Sequence, residues 1–475
     1  MSRIVLNEHQ TNYFRCPIGI KQGDCLSPTL FAIYINDLAL ELKDLGIGIE
    51  VNPDGEGSSI LLNVLLYADD IVCLAINEEE LQIMLFTVQE WCRKWRLEVN
   101  LLKTNVLHVR NARKRQSCYM FLFDKQPVPY CRSYKYLGMN IDEHLNFQFS
   151  VNKQTEGAER ALSAVITKMI KNAGFPLSVY SMLYRSCVTS VADYTAPLTG
   201  YNEYDMPLKL QLRAIRAFLG VSKNAASAGV LSEVNWLLPK MRTRIIMTRQ
   251  YHRLLNMDCT RLPKKVFKWD QRLNNENRIS TWSNEIKEIF HESNLEMIYS
   301  NEYNFDLKFT IKYMEQEYLK KQAIQLREEC MQLPKLRTFI LFKNFNIEEV
   351  YPKKHLSFYN RRLLARMRLG CLPLHIETGR YEVPRLKEED RLCKICQLCY
   401  CESVVESETH FLFQCPAYRI ERDKWFHAMN LPLDFNTLTI GNKLSLIFNE
   451  PCNIKSTSAY IAGAFSARGE ILGSL

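Results

Sequence analysis

The spacing of apolar residues predicts a helix near the start of the chain. Ser27 and Pro28 form a helix-start signal, with Ser27 as the N-cap and Pro28 at the first helical position. The apolar residues that follow at helical spacing are Leu30, Ile33, Tyr34, Leu38 and Leu42. Because residues at this spacing fall on one side of a helix, we expect that side to face a core.

Two apolar runs further along the chain predict a β-hairpin. Residues 60–66 and 71–76 flank residues 67–70, Tyr-Ala-Asp-Asp, so that Asp69 and Asp70 lie at the turn. Adjacent carboxylates repel each other, and strands as apolar as these are normally buried. A divalent cation would remove this conflict, because carboxylate oxygens are the ligands that Mg²⁺ prefers. An ordinary Asp-Asp turn without a metal is the alternative for these four residues taken alone.

Other segments of the first 145 residues predict further strands and helices. Residues 4–6 and 13–16 predict a short strand pair, residues 78–97 an amphipathic helix and residues 105–109 another strand. Beyond them the pattern becomes mainly helical. A chain of 475 residues is long enough for two to four domains. The expected fold class is α+β, with an antiparallel sheet and helices first and an all-α part after them.

The charge of the chain is concentrated in its middle. The net charge is +9, and residues 151–270 hold 18 lysines and arginines against 8 aspartates and glutamates. Such a local excess favours a phosphate-backbone partner, because each neutralised phosphate releases counterions. A solvated helical face is the alternative, and charge alone does not decide between the two.

The 16 cysteines do not indicate a secreted protein, because the chain is far larger than a disulfide scaffold. The sequence shows no apolar core of signal-peptide length and no run long enough to span a bilayer. We therefore expect an intracellular protein, in the nucleus or cytoplasm, with most cysteines as free thiols and with no membrane partner.

A cluster of cysteines and one histidine near the C-terminus has the spacing of a zinc site. The four candidate ligands are Cys393, Cys396, His410 and Cys415. Three thiolates and one imidazole are a ligand set of tetrahedral Zn²⁺. Cys399 and Cys401 leave open which cysteines would bind, since either could replace a neighbour. A set of buried free cysteines is the alternative without a metal.

Four segments of the chain resemble motifs of reverse transcriptases. Residues 18–31 are similar to the Gln-Gly…Leu-Ser-Pro segment, and residues 67–70 to the metal-binding hairpin. Residues 97–104 are similar to the Asn-x-x-Lys-Thr segment, and residues 136–138 to the strand that grips the primer end. The order and spacing of these segments make the match specific. The Leu-Ser-Pro sequence and the Cys/His cluster resemble the non-LTR (LINE-type) retrotransposon class of the family.

The resemblance implies a role for each matched residue. Asp69 would be the metal ligand of greatest consequence, with Asp70 beside it, in nucleotidyl transfer that uses two Mg²⁺ ions or Mn²⁺ in their place. Lys103 would assist the pyrophosphate leaving group. The residues expected near the nascent base pair and the template are Gln22, Gly23, Ser27, Pro28, Tyr67 and Ala68. Those expected to support the primer terminus are Tyr136, Leu137 and Gly138.

The resemblance also implies a domain order. Residues 1–145 would be a partial polymerase palm, 146–270 a helical basic thumb and 271–350 a helical connector. Residues 351–475 would be a C-terminal region with a small Zn²⁺-binding Cys/His module at 393–415. The candidate phosphate contacts of the thumb are Arg213, Arg216, Lys240, Arg242, Arg244 and Arg249, with Tyr201 and Trp236 as candidates for stacking on bases. The expected partners are an RNA template and a DNA primer or target.

One catalytic feature of the family has no match in the sequence. The family supplies a further aspartate from a strand upstream of the Gln-Gly segment, but residues 1–21 contain no aspartate and only one glutamate, Glu8. We therefore expect an N-terminally truncated palm that is inactive on its own, unless Met1 is not the true start. The alternative function is a non-catalytic nucleic-acid-binding remnant that acts through the thumb and the Cys/His module.

Overall fold

The protein is described from a computed structural model of the 475-residue chain. The described residues are 3, 5–7, 9–14, 23–53, 59–275, 281–300, 305–346, 349, 351–353 and 356–474. They form two compact units, which we call the mixed unit (Met1–Asn146 and Met257–Ser283) and the helical unit (Phe147–Asn256 and Asn284–Leu475). Within the described part of the chain, no helix has the length and apolar character needed to cross a membrane.

The first segment of the mixed unit, up to Asn146, contains short strands and two long helices. Its strands are β1 (Val5–Leu6), β2 (His9–Gln10), β3 (Ile49–Val51), β4 (Ile60–Leu62), β5 (Val64–Tyr67), β6 (Asp70–Cys73), β7 (Val106–Leu107), β8 (Leu122–Phe123), β9 (Gln126–Pro127), β10 (Tyr130–Cys131), β11 (Ser133–Tyr136) and β12 (Met139–Asp142). The long helices are α1 (Ser27–Asp44) and α2 (Glu78–Trp95). The expected mixture of helix and sheet is confirmed.

The strands form six pairs rather than the single antiparallel sheet that the sequence predicted for this part of the chain. The pairs β1–β2, β3–β4, β5–β6, β8–β9 and β11–β12 are antiparallel, whereas β7 and β10 are parallel. Asn63 gives one physical reason. Its buried side chain donates to the carbonyl of Leu42 at 2.8 Å, so the apolar run at 60–66 divides there into β4 and β5. Each half then takes a different partner strand.

The start of the chain is described only in part. Strand β1 pairs with β2, and residues 4, 15 and 16 of the strand pair predicted between 4–6 and 13–16 lie outside the described residues. The helix predicted from Ser27 and Pro28 is confirmed, but Leu26 holds the N-cap position and Ser27 is already helical. The Leu26 side chain cannot accept a hydrogen bond, and its N–H donates instead to the Asp24 carboxylate at 2.9 Å.

Helix α2 lies close to where it was predicted, because the residues that start and end it are adjacent to it in sequence. The side chain of Asn77 accepts from the N–H of Glu80 at 2.8 Å and donates to the Glu80 carboxylate at 3.0 Å, which is a reciprocal cap. At the other end Arg96 adopts φ +55° and ends the helix. The buried side of α2 includes Met84 and Trp91, which pack in the core of the mixed unit against α1.

The rest of the chain is helical. Its helices are α3 (Gln148–Lys171), α4 (Leu177–Leu183), α5 (Ser190–Ala192), α6 (Ala196–Thr199), α7 (Asp205–Leu219), α8 (Ser227–Ser232), α9 (Pro239–Leu255), α10 (Leu262–Asn275), α11 (Thr281–Glu292), α12 (Glu296–Ser300), α13 (Leu307–Met331), α14 (Phe339–Phe342), α15 (Phe358–Arg368), α16 (His375–Thr378), α17 (Lys394–Tyr400), α18 (Arg419–His427), α19 (Ile440–Asn449) and α20 (Ile454–Ser474). π-Helical turns lie at Tyr184–Thr189 and His410–Gln414. Short 3₁₀ turns lie at Pro334–Leu336, Tyr351–Lys353, Glu388–Asp390, Pro416–Tyr418 and Phe435–Thr437.

One hydrophobic core joins α3, α7, the end of α13, α15 and α20 of the helical unit. Almost fully buried members of this core are Leu162 in α3, Phe218 in α7, Leu326 in α13, Leu364 in α15 and Ile461 in α20. Parts of the segments predicted as thumb, connector and C-terminal region therefore share a core. Residues 257–270 of the predicted thumb group instead with the mixed unit.

A buried network of charges crosses this core. Arg368 in α15 is fully buried, and its guanidinium lies 2.9 Å from the Glu233 carboxylate and 2.6 Å from that of Glu349. Lys343 pairs with Glu349 at 2.6 Å. Two cations thus face two anions, which is the condition under which buried charges are tolerated.

Candidate active site and metal centre

The acidic hairpin forms as predicted. Strands β5 and β6 pair with Tyr67 opposite Asp70, which leaves Ala68 and Asp69 as the two residues of the turn. Asp70 is therefore the first residue of β6 rather than part of the turn itself. Ala68 has φ +51°, a left-handed conformation that costs a residue with a side chain on the order of 1–2 kcal/mol. The hairpin maintains this strain through the pairing on both sides of the turn.

Both carboxylates of the hairpin face solvent. Asp69 and Asp70 are exposed, whereas Leu66 and Ile71 of the adjoining strands pack partly buried against the core of the mixed unit. Solvent reduces the repulsion between the two charges without any partner. The same exposure leaves carboxylate oxygens open to a hydrated divalent cation.

The predicted primer-grip strand lies in the same unit as this hairpin. The pKa of Tyr136 is raised, mainly by burial and in addition by the negative charge of Asp70. Leu137 at φ +45° and Gly138 at φ +86° form the turn between β11 and β12. The structure thus places Tyr136 and Asp70, which are 66 residues apart in sequence, in the same part of the mixed unit.

The Gln-Gly segment is described only in part. Gln22 lies outside the described residues. Gly23 has φ +84°, and no heavy atom of the described chain lies within 4 Å of the position that a Cβ would take. Glycine is thus favoured at Gly23 by backbone conformation and not by packing.

Lys103 lies on the surface of the same unit. Its side chain is exposed, and its carbonyl accepts from the Tyr134 hydroxyl at 3.3 Å. Thr104 donates to the carbonyl of Asn100 at 3.0 Å, which closes the local turn that carries Lys103.

Most candidate phosphate contacts of the thumb have partners inside the helical unit. Arg242 is partly buried, and its guanidinium lies 2.5 Å from the Asp193 carboxylate. The remaining pairs are Lys240 with Glu203, Arg244 with Glu292, Arg213 with Glu159, and Arg216 with Ser227 and the carbonyl of Ala225. Arg249 is exposed.

The prediction that Trp236 stacks on a nucleic-acid base is wrong. Its ring is buried and stacks on Tyr184, with ring centroids 4.4 Å apart and an interplanar angle of 12°. Its indole N–H donates to the Ser181 hydroxyl at 3.2 Å. The Tyr180 ring also lies nearly parallel to it, with centroids 6.2 Å apart, so the ring and its polar edge make their contacts within the helical unit. Tyr201 is partly buried.

The Cys/His cluster has the geometry of a tetrahedral metal site. Ligand atoms of Cys393, Cys396, His410 and Cys415 all lie within 4.8 Å of one another. The Cys396 sulfur is 3.4 Å from His410 Nε2 and 3.7 Å from the Cys415 sulfur. With Zn–S distances of about 2.3 Å, neighbouring sulfurs of a tetrahedral site are roughly 3.8 Å apart. Each of the four side chains is at most 2% exposed.

Local structure explains how ligands five residues apart reach one point. Five residues along an α-helix correspond to roughly 140° around its axis, so His410 and Cys415 could not both face inward. The chain forms a π-helical turn instead, in which the N–H of Cys415 donates to the carbonyl of His410 at 2.8 Å. On the other side, Cys393 precedes α17 and Cys396 lies in its first turn.

The ambiguity over neighbouring cysteines is resolved by position. Cys399 and Cys401 are exposed and lie outside the group of converging ligand atoms. Cys401 has φ +54° and ends α17. The four predicted ligands are therefore the ones that the fold brings together.

Interactions among the thiols of the cluster favour the ionisation of one thiol and oppose the ionisation of its neighbours. The pKa of Cys393 is lowered, because hydrogen bonds from Cys415 and from His410 stabilise its thiolate against the cost of burial. The pKa of Cys396 is raised by burial and then by the neighbouring Cys393. A dication would offset the repulsion that opposes a second and third thiolate, so the residues present fit a bound Zn²⁺.

Comparison with known proteins connects the mixed unit to a polymerase family. Residues 3–141 match the family model described as "Reverse transcriptase (RNA-dependent DNA polymerase)". This range contains the acidic hairpin, Gly23 and β11.

Curated relatives are polymerases of mobile elements. The chain is 27% identical over 157 residues to the RNA-directed DNA polymerase from mobile element jockey of Drosophila funebris, which covers 32% of this chain and 15% of that protein. It is 22% identical over 204 residues to the jockey polymerase of Drosophila melanogaster, covering 42% of this chain and 20% of that protein. A probable RNA-directed DNA polymerase from transposon X-element of the same species is 28% identical over 138 residues. The aligned residues cover 27% of this chain and 13% of that protein.

The matched part thus spans no more than a fifth of the length of these relatives. Over residues 3–141 the chain is thus similar to reverse transcriptases, and the curated relatives that it matches are polymerases of LINE-type mobile elements.

Proposed function

We propose that this chain is part of an RNA-directed DNA polymerase of a non-LTR retrotransposon, and that its acidic hairpin takes part in two-metal nucleotidyl transfer. The observation that carries the proposal is the placement of Asp69 and Asp70. They lie exposed at the end of a hairpin, within the segment that matches the reverse transcriptase family.

The matched residues of the mixed unit would have the following roles in the reaction. Asp69 and Asp70 would hold Mg²⁺, or Mn²⁺ in its place, and the bound ions would stabilise the charge on the attacking and leaving oxygens. Gly23, which has no side chain, would let the backbone approach the nascent base pair closely. The turn after Tyr136 would support the primer end. Lys103 would place a cation near the departing pyrophosphate.

The helical unit would bind nucleic acid and carry the zinc site. Its described part supports a thumb that begins near residue 146, because the two compact units divide after Asn146. The partners would be an RNA template and a DNA primer or target. Among the candidate phosphate contacts, Arg249 is exposed, whereas Arg242 would first have to leave Asp193. Zn²⁺ would bind at Cys393, Cys396, His410 and Cys415.

Primer extension tests the catalytic proposal. The purified chain is incubated with a primed RNA template, Mg²⁺ and deoxynucleotides, beside the variants Asp69→Ala and Asp124→Ala. Asp124 is the matched control, because it lies in another two-residue hairpin turn of the mixed unit. Extension that Asp69→Ala removes and Asp124→Ala preserves would support the role of the hairpin and contradict the expectation that the chain is inactive on its own. Extension that survives Asp69→Ala would overturn it.

A second candidate function is nucleic-acid binding without catalysis. The positive charge concentrated in residues 151–270 favours it. If no protein in the assay extends the primer, while the wild-type chain binds the template with an affinity that falls steeply with salt, this second function is preferred over the first.

A further inference from the structure

The segment that carries two of the metal ligands also carries two buried carboxylates. We call residues 402–415 the ligand loop. Besides His410 and Cys415 it contains Glu406 and Glu408, each 2% exposed. Carboxylates are rarely buried to this degree unless they are paired. Each of the two reaches a different distant part of the helical unit.

Glu406 connects the ligand loop to the C-terminal helix. Its two carboxylate oxygens accept from the Arg468 guanidinium of α20 at 2.7 and 2.8 Å. Two turns earlier in α20, the Tyr460 hydroxyl donates to the carbonyl of Phe411 at 3.1 Å, directly after the ligand His410. The Tyr460 ring also stacks on Trp425 with centroids 4.2 Å apart. Helix α20 is thus attached to the ligand loop at two points along its length.

Glu408 connects the same loop to the segment that follows α13. It accepts two hydrogen bonds from the Arg337 guanidinium at 2.8 and 2.9 Å and one from the Thr338 hydroxyl at 3.1 Å. Thr338 directly precedes α14. The loop therefore lies between α20 on one side and the start of α14 on the other.

The ligand loop has little regular structure of its own to fix these contacts. Its described backbone forms one isolated bridge, Leu392 with Val405, hydrogen bonds that join Val404 and Glu406 to residues 391–393, and the π-helical turn that begins at His410. A buried ion pair is stable only in good geometry, and a carboxylate displaced from its arginine would remain buried without its counter-charge. Because Glu406 and Glu408 lie just before His410, a metal that fixes His410 and Cys415 adds to these bonds in fixing both carboxylates.

We propose that the metal at this centre is a cross-link that docks α20 and the start of α14 onto the helical unit. The inference rests on the proposed binding of zinc, and adds that the centre is a structural part of this unit rather than an autonomous nucleic-acid-binding module. Loss of the metal then releases the ligand loop, and with it both ion pairs. The contacts of α20 near Tyr460 and Arg468 loosen together.

Hydrogen–deuterium exchange of the full chain tests the cross-link. The zinc content of the protein is measured first, and exchange is then followed in the zinc-loaded protein, after chelation, and after zinc is restored. We expect chelation to speed exchange at least about tenfold in α20 and at residues 334–342, as well as in the ligand loop, and zinc to reverse the change. Faster exchange confined to residues 393–415 would overturn the inference.

The zinc content separates this inference from the proposed function. Protein purified without chelator that contains no zinc would overturn zinc binding itself. Bound zinc with α20 unaffected by chelation would overturn only the cross-link. Chelation of wild-type protein does not depend on the folding of any variant, so the test stands even if substitutions of the ligands prevent folding.

Two variants test the route through Glu406. Arg468→Gln removes the ion pair but no ligand, so we expect zinc content to stay at the wild-type level while α20 exchanges faster. Cys399→Ser is the matched control, because Cys399 lies next to the centre but is exposed. It should keep both zinc and wild-type exchange. An Arg468→Gln protein whose α20 exchanges as in wild type would contradict the proposed route.

Discussion

The acidic hairpin and the Cys/His centre offer ligands of opposite kinds in opposite surroundings. Asp69 and Asp70 are exposed at a turn, whereas the four ligands of the centre are almost completely buried. Oxygen ligands open to water suit Mg²⁺, which keeps part of its hydration shell and exchanges with substrate. Four enclosed sulfur and nitrogen ligands suit a Zn²⁺ ion that stays bound.

The two sites differ in how far the stability of the surrounding fold depends on a bound metal. The hairpin forms from strand pairing alone, and its carboxylates are solvated whether or not a cation is present. The centre gathers three thiols into the core of the helical unit, where burial and the neighbouring Cys393 raise the pKa of Cys396. We therefore expect the hairpin to be almost independent of its metal for stability, and the centre to be strongly dependent.

Substitution of a buried ligand should have the largest effect. Cys396→Ser removes one ligand and leaves two thiols and an imidazole in the core without a complete site, so we expect the free energy of unfolding of the helical unit to fall by more than ~4 kcal/mol. Urea denaturation followed by circular dichroism measures this change. The control Cys399→Ser should lie within ~0.5 kcal/mol of wild type. If the two variants lost the same free energy of unfolding, the buried ligand Cys396 would matter no more for stability than the exposed Cys399.

A buried ion pair in the same unit shows how much stability is lost when a buried charged group loses its partner and no metal is involved. Arg368→Met leaves Glu233 without its arginine and Glu349 with Lys343 only, and we expect a loss of about 3–5 kcal/mol in the same denaturation experiment. Arg93→Met is the matched control in the mixed unit, because Arg93 pairs with Asp124 on the surface. It should unfold as wild type does. A neutral Arg368→Met would mean that the buried network contributes no net stability.

The stability of the mixed unit should depend on the N-terminal cap of α2. Asn77→Ala removes the side chain that accepts from the N–H of Glu80, and we expect the unit to lose about 1 kcal/mol. Asn77→Ser keeps an acceptor at the same position and should restore most of this loss. The unfolding midpoint of the mixed unit in urea gives the comparison. An Asn77→Ala protein as stable as wild type would show that the cap is dispensable.

The smallest effect on stability is expected at the hairpin itself. Asp69→Asn removes one of two adjacent charges at an exposed turn, so the free energy of unfolding should change by less than ~0.5 kcal/mol. The affinity for Mn²⁺, measured by electron paramagnetic resonance of the free ion, should nevertheless fall strongly. Asp124→Asn should leave that affinity unchanged. A large loss of stability in Asp69→Asn would contradict the view that the hairpin forms independently of its metal.

Features with local signals could be predicted from the sequence. The hairpin follows from two apolar runs around an acidic pair, and α2 follows from its cap and its apolar spacing. The ligand set at the centre follows from cysteine and histidine spacing alone.

Features that depend on distant partners could not be predicted. Trp236 is enclosed by Tyr180 and Tyr184, which lie about fifty residues earlier, so nothing next to it in sequence shows that it is buried. Glu406 and Glu408 likewise resemble surface residues until α20 and the start of α14 supply their arginines. The expected single sheet divided at Asn63, because a side chain bonded to the carbonyl of Leu42 in α1.

The most direct test of the contrast between the two sites is the thermal unfolding of wild-type protein purified without chelator. We expect the protein to contain one zinc ion per chain, chelation to lower the unfolding midpoint of the helical unit, and Zn²⁺ but not Mg²⁺ to restore it. A protein that contains no zinc, or one whose midpoint does not respond to chelation, would show that the centre does not depend on a metal for stability.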